Sequence, residues 1–404
     1  MTMALLSVEE ALARVLDGVE PLPSENVAIA EASGRVLAAD LAALRSQPPA
    51  AVSAMDGYAV RAADVAGGGA ELKLIGEVAA GRPFAGAVGP GQAARIFTGG
   101  MVPSGADAVI VQEETERRGD VVLVKGSAQP GKHIRRAALD FAQNQVLLRQ
   151  GQRLSARDIA LAAAMNHAEI PVRRRPKVAI LATGDELVPP GTSPEPGQIV
   201  SANGLALSAF ARAEGAEARD FGIAPDRIEP TVAALERMRG WGADVLVTTG
   251  GASVGEHDLV QRALAAQGMA LAFWKVAVRP GRPMMHGRIG QTRVLGLPGN
   301  PVSAYVCAFL FLTPLLRQLT GRPELAPATE SAVLGRELAA NDERADYLRA
   351  KLERRGDGTL VATAFPVQDS SMLSRLAEAD CLIIREPYAP AAPAGSRCAI
   401  LKLG

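Results

Sequence analysis

The chain has 404 residues, 48% of them hydrophobic, and its 43 basic side chains balance 43 acidic ones. That length allows about two to four domains with sizeable cores. Zero formal charge argues against a broad nucleic-acid surface, and an aromatic content of 4% leaves little for base stacking.

Cys307, Cys381 and Cys398 lie far apart, without the spacing of a zinc site or a disulfide framework. The N-terminus lacks a basic-then-apolar leader pattern, with Glu9 and Glu10 coming early. The longest apolar run, 304–316, holds Thr313 and Pro314 and reads as too short to span a bilayer. A soluble cytoplasmic protein is expected, with no membrane and no nucleic acid among its partners.

Residues 7–16 read as an amphipathic helix, with Ser7 as cap and Glu10 at the capping-box offset. Residues 30–41 read as helical or mixed, and 45–54, with Pro48-Pro49, as a linker. From 56 to 124, short apolar runs punctuated by Gly and Pro predict a small all-β module. Asp56-Gly57 and Thr98-Gly99-Gly100 stand out there; taken alone, Asp56-Gly57 is a turn. Residues 131–140 mix basic side chains with Asp140. Ser155 and Asp158 cap a helix over 155–165, and Arg173-Arg174-Arg175-Pro176 marks a domain boundary.

Residues 177–316 alternate strand and helix, which predicts a parallel sheet with right-handed crossovers. Strands are expected at 178–181, after 217, from 245, over 273–278 and over 294–297. Helices are expected at 203–214, 230–239, 259–267 and 302–316, the last with Asn300 as N-cap and Pro301 in its first turn. The tail reads as a small β domain, with strands at 347–353, 359–364, 382–385 and 399–403.

The chain is organised around 243–258, ADVLVTTGGASVGEHD, which reads as strand, glycine loop, helix. Such a loop lets a ligand approach backbone N–H groups at a helix start, which suits a phosphate. Glu256-His257 stands where a P-loop needs Lys and Ser or Thr, which argues against an ordinary NTPase. From the loop alone, an anion site and a plain turn both fit.

Ligands of open α/β sheets bind beyond the carboxyl ends of strands. Polar groups stand at nearly every such end here: Asp185 and Glu186, Asp226, the 250–255 loop with Asp258, Lys275 with Arg279 and Arg282, and Asn300. Hard oxygen ligands beside amides, Lys and Arg fit a phosphate-bearing ligand with Mg²⁺. His133, His167, His257 and His286 are scattered and form no nucleophile–His–acid pattern.

SAMDGYAV (53–60), TGGMVPSGADAV (98–109), TGDEL (183–187), TTGGASVGEHD (248–258), RPGRP (279–283) and GLPGNPVSAY (296–305) together resemble the MoeA family, molybdopterin molybdenumtransferases related to the gephyrin E domain. The resemblance runs from about residue 7 to 404 in the family order. It implies a multidomain α/β plus β fold with a central doubly wound parallel α/β domain like the molybdopterin adenylyltransferases, at 176–325. With it come an elongated N-terminal domain from 1–50 and 130–175, an inserted β module at 51–129 and a C-terminal β domain at 326–404.

The implied reaction inserts molybdate into adenylylated molybdopterin, with Mg²⁺-dependent hydrolysis and release of AMP, in a homodimer that could also contact the adenylyltransferase. The implied active-site set is Asp56, Thr98, Asp140, Glu186, Asp226 and Asp258, with Glu186, Asp226 and Asp258 on the metal. Substrate would be lined by Thr183, Gly250, Gly251, Ser253, Gly255, Lys275, Arg279, Pro298, Asn300 and Pro301, with Arg349 and Ser370 from the tail. Arg279 stands where many relatives carry Lys, and Asp380-Cys381 where Asn-Gly is usual. Two rival readings are the adenylyltransferase, which needs only 177–316, and a gephyrin-like scaffold, which usually carries a further fused domain.

Overall fold

A computed structural model of the chain describes residues 5–250 and 259–403. Val8–Leu16 is a helix closed by the expected capping box, Glu10 N donating to Ser7 Oγ and Ser7 N to the Glu10 carboxylate. Its apolar face, Ala11 and Val15, enters the core of the central α/β domain. The helix thus packs on the central domain while belonging to the N-terminal segment. Arg293 adds to the junction, donating to the carbonyls of Asp17 and Gly18 just past the helix. The rest of the N-terminal domain has its own core, where Leu37, Phe141, Leu148, Met165 and Val172 meet from both of its segments. Where a mixed or helical stretch is expected at 30–41, the chain makes only a short turn of 3-10 helix, Ile29–Glu31, before a strand at Leu41–Ala42.

The inserted module is a six-stranded sheet in the order Ala108–Val111, Gly57–Val60, Gln92–Ile96, Ala70–Val78, Val121–Val124, Thr115–Arg118. Its apolar side chains form two buried clusters, one on Tyr58, Val60 and Ile110, the other on Ala59, Val78 and Ile96. That is the alternation expected of a strand whose two faces are both covered.

The central sheet runs Glu217–Ala224, Lys177–Thr183, Val245–Thr249, Thr292–Leu297, Met285–Ile289, Ala270–Phe273. The first four strands are parallel, as expected. The last two are antiparallel, so the sheet is mixed. Gly290-Gln291 makes a two-residue hairpin between Ile289 and Thr292, a turn length that favours glycine. The run expected as one strand over 273–278 is two: Ala270–Phe273 stays in this sheet, while Val278–Arg279 pairs with the tail.

The helix after Thr292–Leu297 runs Pro301–Leu319, past the expected end, with a π-helical turn at Ala308–Leu312. At 19 residues it reaches membrane-spanning length, but 78% of its apolar window is buried within the protein, as suits a core helix. The tail is a closed barrel of Ala345–Arg354, Leu360–Ala364, Thr329–Leu334, Arg397–Lys402 and Cys381–Arg385, the last pairing back onto the first. The strand Thr329–Leu334 and the short helix Leu373–Glu378 are not foreseen in the sequence.

His286, 1% exposed, shows what this packing does to a titratable group. Its Nδ1 bonds the Val294 carbonyl at 3.0 Å, and its ring lies 5.7 Å from that of Phe273. Burial, with Arg293 and Arg288 nearby, pushes its pKa from 6.5 to about 4. The unfolded chain therefore binds the extra proton between pH 6.5 and about 4, and stability falls as pH drops through that window. The full loss is on the order of 3 kcal/mol. His286→Asn keeps a donor without titrating and should flatten this limb in urea unfolding followed from pH 7 to 4; an unchanged slope would assign the acid sensitivity elsewhere.

Candidate active site

The carboxyl ends of three neighbouring parallel strands interlock through their backbones. Gly250 follows Val245–Thr249 with φ +86°, and a Cβ there would strike the Thr183 carbonyl at the end of Lys177–Thr183. A Cβ on Gly299, after Thr292–Leu297, would lie 3.5 Å from Gly250 Cα. Above this junction opens a cleft of about 400 Å³ lined by Thr183, Glu186, Asn203, Gly250, Asn300 and Pro301, among others. Its size suits a small-molecule ligand. An apolar groove of about 320 Å³ adjoins it, sharing Asn203, Pro301 and Leu373, and carries no charged side chain.

The cleft wall, at Thr183 and Glu186, and the neighbouring strand end, at Asp226 outside the lining, offer polar groups with nothing to satisfy them. Thr183 Oγ1 is buried and, among the described residues, has no hydrogen-bond partner. Glu186 and Asp226 are exposed at the ends of adjacent strands and pair with no Lys or Arg among the described residues. The Glu186 carboxylate folds over Gly184, in the space where a Cβ would stand. Asp185 steadies the neighbouring turn, its Oδ1 accepting from Asp226 N at 3.0 Å. These hard oxygens are the donor type a divalent magnesium ion takes. Among the described residues no three acids, histidines or cysteines gather closely enough to share an ion. The expected third acid, Asp258, lies outside the described residues, as do Gly251, Ser253 and Gly255.

Asn300 stands at the N-cap of the long helix and Pro301 in its first turn, as the sequence predicts. The capping itself differs. Asn300 Nδ2 donates to Ser370 Oγ at 2.7 Å, and the Val302 N–H goes to the Ser370 carbonyl at 3.1 Å. Ser370 thus comes from the tail to the helix end, as expected of a site residue. Pro298 is buried just before the turn. Asn203, Ser201 and Ser371, which sequence reading passes over, also line the cleft, and Asn203 Nδ2 donates to Gly299 O at 2.7 Å. The signal for Asn203 is a side-chain amide at a helix start beyond a strand end.

Two expected ligand residues have other employment. Arg279 is placed by the sequence as an anion binder, but its guanidinium holds Asp342 at 2.9 Å, Asn341 at 2.9 Å, and Asp346. It joins the central domain to the barrel and is not a free cation. Lys275 and Arg282 form no ion pair among the described residues. Arg349, 1% exposed, does not line the cleft and reaches it only through the loop that carries Ser370.

Asp56, Thr98 and Asp140 sit apart from the cleft lining, where the inserted module meets the N-terminal domain. The short strand Val52–Ser53 links the segments that carry them, pairing with Ile134–Arg135 on one side and bridging to Met101 on the other. Thr98 donates both N–H and hydroxyl to Asp56 Oδ1, at 2.8 and 2.7 Å. Those two bonds hold the Asp56 carboxyl below its usual pKa, so it stands ionised. The Asp140 N–H is tied to the Gln47 carbonyl, leaving its side chain exposed.

A cleft of small-molecule size at the ends of parallel strands, with a barrel at its mouth and a β module apart from it, belongs to a multidomain α/β protein whose relatives are proteins of molybdopterin biosynthesis. Residues 6–166 match the MoeA N-terminal region (domains I and II), 179–318 a probable molybdopterin binding domain, and 331–403 the MoeA C-terminal region (domain IV). Molybdopterin molybdenumtransferase 2 of Mycobacterium tuberculosis is 36% identical over 384 residues, covering 93% of each chain. The molybdopterin molybdenumtransferase of Haemophilus influenzae is 32% identical, covering 95% of each. A crystal structure of a molybdopterin biosynthesis MoeA protein from Pyrococcus horikoshii superposes with a TM-score of 0.87 at 32% identity, covering 99% of both chains. The chain belongs to the MoeA family of molybdopterin molybdenumtransferases.

Gly250 gives the direct test of the interlock. Gly250→Ala combines an unfavourable positive φ with a clash against a carbonyl in the sheet, and should cost about 1–3 kcal/mol. Thermal unfolding of the variant checks this; an unchanged midpoint would mean that the strand ends can separate freely.

Proposed function

We propose that this chain carries out the molybdenum insertion step of molybdenum cofactor assembly. Adenylylated molybdopterin is hydrolysed, AMP leaves, and molybdate, a second substrate, binds the two dithiolene sulfurs as its displaced oxide leaves as water with the thiol protons. The observation that carries this reading is the cleft: close-packed backbone and a helix start meet the unpaired Glu186 carboxylate there, with Asp226 at the neighbouring strand end. Such a surface accepts phosphate oxygens on one side and a hard cation on the other.

Glu186 and Asp226, with Asp258, would hold Mg²⁺, which neutralises charge on the phosphate oxygens when bound. Water adds to one phosphorus of the pyrophosphate as the bridging P–O bond breaks, so the products are AMP and the pterin monophosphate. The Thr183 hydroxyl, without a partner among the described residues, and the Asn300 side chain orient the ligand from the ends of the two strands that flank Val245–Thr249. Lys275 and Arg282 supply positive charge toward molybdate, the part Arg279 would otherwise take.

Asp56, Thr98 and Asp140 do not line the cleft of their own chain. This supports a two-fold homodimer in which each inserted module completes its neighbour's site. Exposed apolar side chains surround both halves: Met55, Met101 and Leu139 beside the module's acids, Ile199 and Val200 beside the cleft. Contact of so much apolar surface with water is relieved by association. The enzyme works in the cytoplasm and receives its substrate from the adenylyltransferase, with which a transient contact fits.

Reconstitution from purified protein, adenylylated molybdopterin, molybdate and Mg²⁺ tests the reading, with AMP and active cofactor measured. Asp226→Ala should lower AMP release about a hundredfold or more, the scale of losing a charge clamp worth several kcal/mol, while keeping the fold by circular dichroism. Normal turnover in that variant would remove Asp226 from the site.

Complementation tests the dimer. Asp56→Ala and Asp226→Ala should each be nearly inactive alone. Co-expressed, a mixed dimer has one site with both lesions and one intact. With about half the pairs mixing at random, roughly a quarter of wild-type activity should return. A demonstrably mixed dimer that stays inactive would place the whole site within one chain.

A further inference from the structure

Arg349 lies on the barrel strand Ala345–Arg354 and is 1% exposed. Its Nη2 donates to the Asp369 carbonyl at 2.8 Å and its Nη1 to the Met372 carbonyl at 3.1 Å. Its Nε reaches Gln368 Oε1 at 3.4 Å. Gln368 answers through Nε2, donating to the Arg349 and Phe365 carbonyls, each at 3.0 Å. The loop 365–372 is therefore tied to the strand at four of its residues. Arg349 makes no ion pair among the described residues.

A sealed guanidinium held by neutral oxygens is a poor way to gain stability, because an apolar residue of similar volume avoids the desolvation. It does something an apolar residue cannot. Its rigid fork fixes two carbonyls at once, and the two chosen, Asp369 and Met372, flank Ser370 and Ser371. Asp369 tightens the same turn, its Oδ1 accepting from Ser371 N at 2.8 Å and Ser371 Oγ at 2.6 Å.

The fixed turn has one outlet. Ser370 O takes the Val302 N–H, the first amide of the long helix beyond Pro301, and Ser370 Oγ takes Asn300 Nδ2. Asn300 and Ser371 both line the cleft. Three of the five guanidinium N–H groups are engaged in this loop, and the side chain presents almost no surface to a ligand.

We propose that Arg349 is a positioning residue: by pinning the carbonyls on either side of Ser370, it makes the barrel domain the cap of the 301–319 helix and fixes Asn300 at the mouth of the cleft. The role rests on reading that cleft as the site of the pterin phosphate. It predicts that Arg349 governs the affinity of the central domain for its ligand without touching it. Loss of Arg349 frees the Ser370 turn, and the helix end and Asn300 then sample orientations that no longer converge on the ligand.

The test combines hydrogen exchange with a double-mutant cycle on the full-length protein. Arg349→Gln should raise exchange of the Val302 amide and of 366–372 about tenfold or more, and leave the Val245–Thr249 strand as protected as in the wild type. Ser370→Ala and Arg349→Gln should each lower kcat/KM for adenylylated molybdopterin, mainly through KM, and the double variant should be no worse than the poorer single one. Multiplying effects with an undisturbed Val302 amide would overturn the proposal and make Arg349 a direct ligand. Raised exchange with kcat/KM within twofold of wild type would also overturn it, leaving a purely structural role. Should Arg349→Gln fail to fold, Arg349→Lys keeps the charge but loses the fork, and the same two readouts decide. Wild-type protein that releases no AMP would refute the functional reading instead, while the exchange pattern still judges the clamp.

Discussion

The site depends on how closely three backbones approach one another at the carboxyl ends of Lys177–Thr183, Val245–Thr249 and Thr292–Leu297. Gly250 lies against the Thr183 carbonyl and near Gly299, with no room for a β-carbon on the Thr183 side. Parallel strands splay at their ends as the sheet twists. Here the two glycine turns close that gap and leave a floor of main chain beneath the cleft. Side chains that define the walls, Thr183, Glu186, Asn203 and Asn300, can then stand around a common space. Bulk at Gly250 would part the strands before any ligand arrived.

The second constraint is the barrel's grip on the central domain. A parallel pair of residues, Val278–Arg279, leaves the central sheet to lie along Ala345 and Asp346 of the barrel. Arg279 secures that junction against Asp342 and Asp346. The core is continuous across it, since Ala345, Tyr347, Leu382 and Leu401 bury against the 301–319 helix and its neighbours. The barrel is thus bolted on by burial and ion pairs in one place, and reaches the cleft by hydrogen bonds from Ser370 in another. Substituting a Lys at 279 would keep a charge but not the three-way hydrogen bonding that Arg makes.

Much of this was legible in the sequence where local chemistry decides. Both capping boxes, at Ser7 and at Ser155, close as their spacing requires. Three of the four parallel strands carry continuous apolar runs because both faces are covered, while the edge strand Glu217–Ala224 mixes charged and apolar residues. Five of the module's six strands and most of the tail strands also fall on apolar runs; the sixth, Thr115–Arg118, has none and is not foreseen. What failed was decided by tertiary partners. The run over 273–278 is uniformly apolar, yet its two ends serve different sheets, and nothing local marks the break. Val8–Leu16 reads as an amphipathic helix, but the sequence does not say that its apolar face belongs to the central core. Arg279 and Arg349 look alike as cations; only the acids near the first and the carbonyls around the second separate an inter-domain bolt from a loop clamp. The 251–258 part of the glycine loop lies outside the described residues, so the structural case rests on Gly250 and its neighbours.

Stability and function draw on different parts of the molecule. Separate apolar clusters hold up the N-terminal domain, the inserted module and the barrel's interior, and the barrel also shares buried residues with the central core. The chemically capable groups sit outside those clusters, at junctions made of a few directed bonds: Thr98 to Asp56, Asn203 to Gly299, Asn300 to Ser370. A directed hydrogen bond contributes only about 1 kcal/mol net, whereas a core methylene cluster contributes several times more. Core substitutions therefore lower the melting temperature first. Junction substitutions leave it nearly unchanged and displace a carboxylate or a hydroxyl by enough to lose the alignment that phosphoryl chemistry needs. Loss of activity without loss of folding is accordingly the signature that separates the junction residues from the framework that carries them.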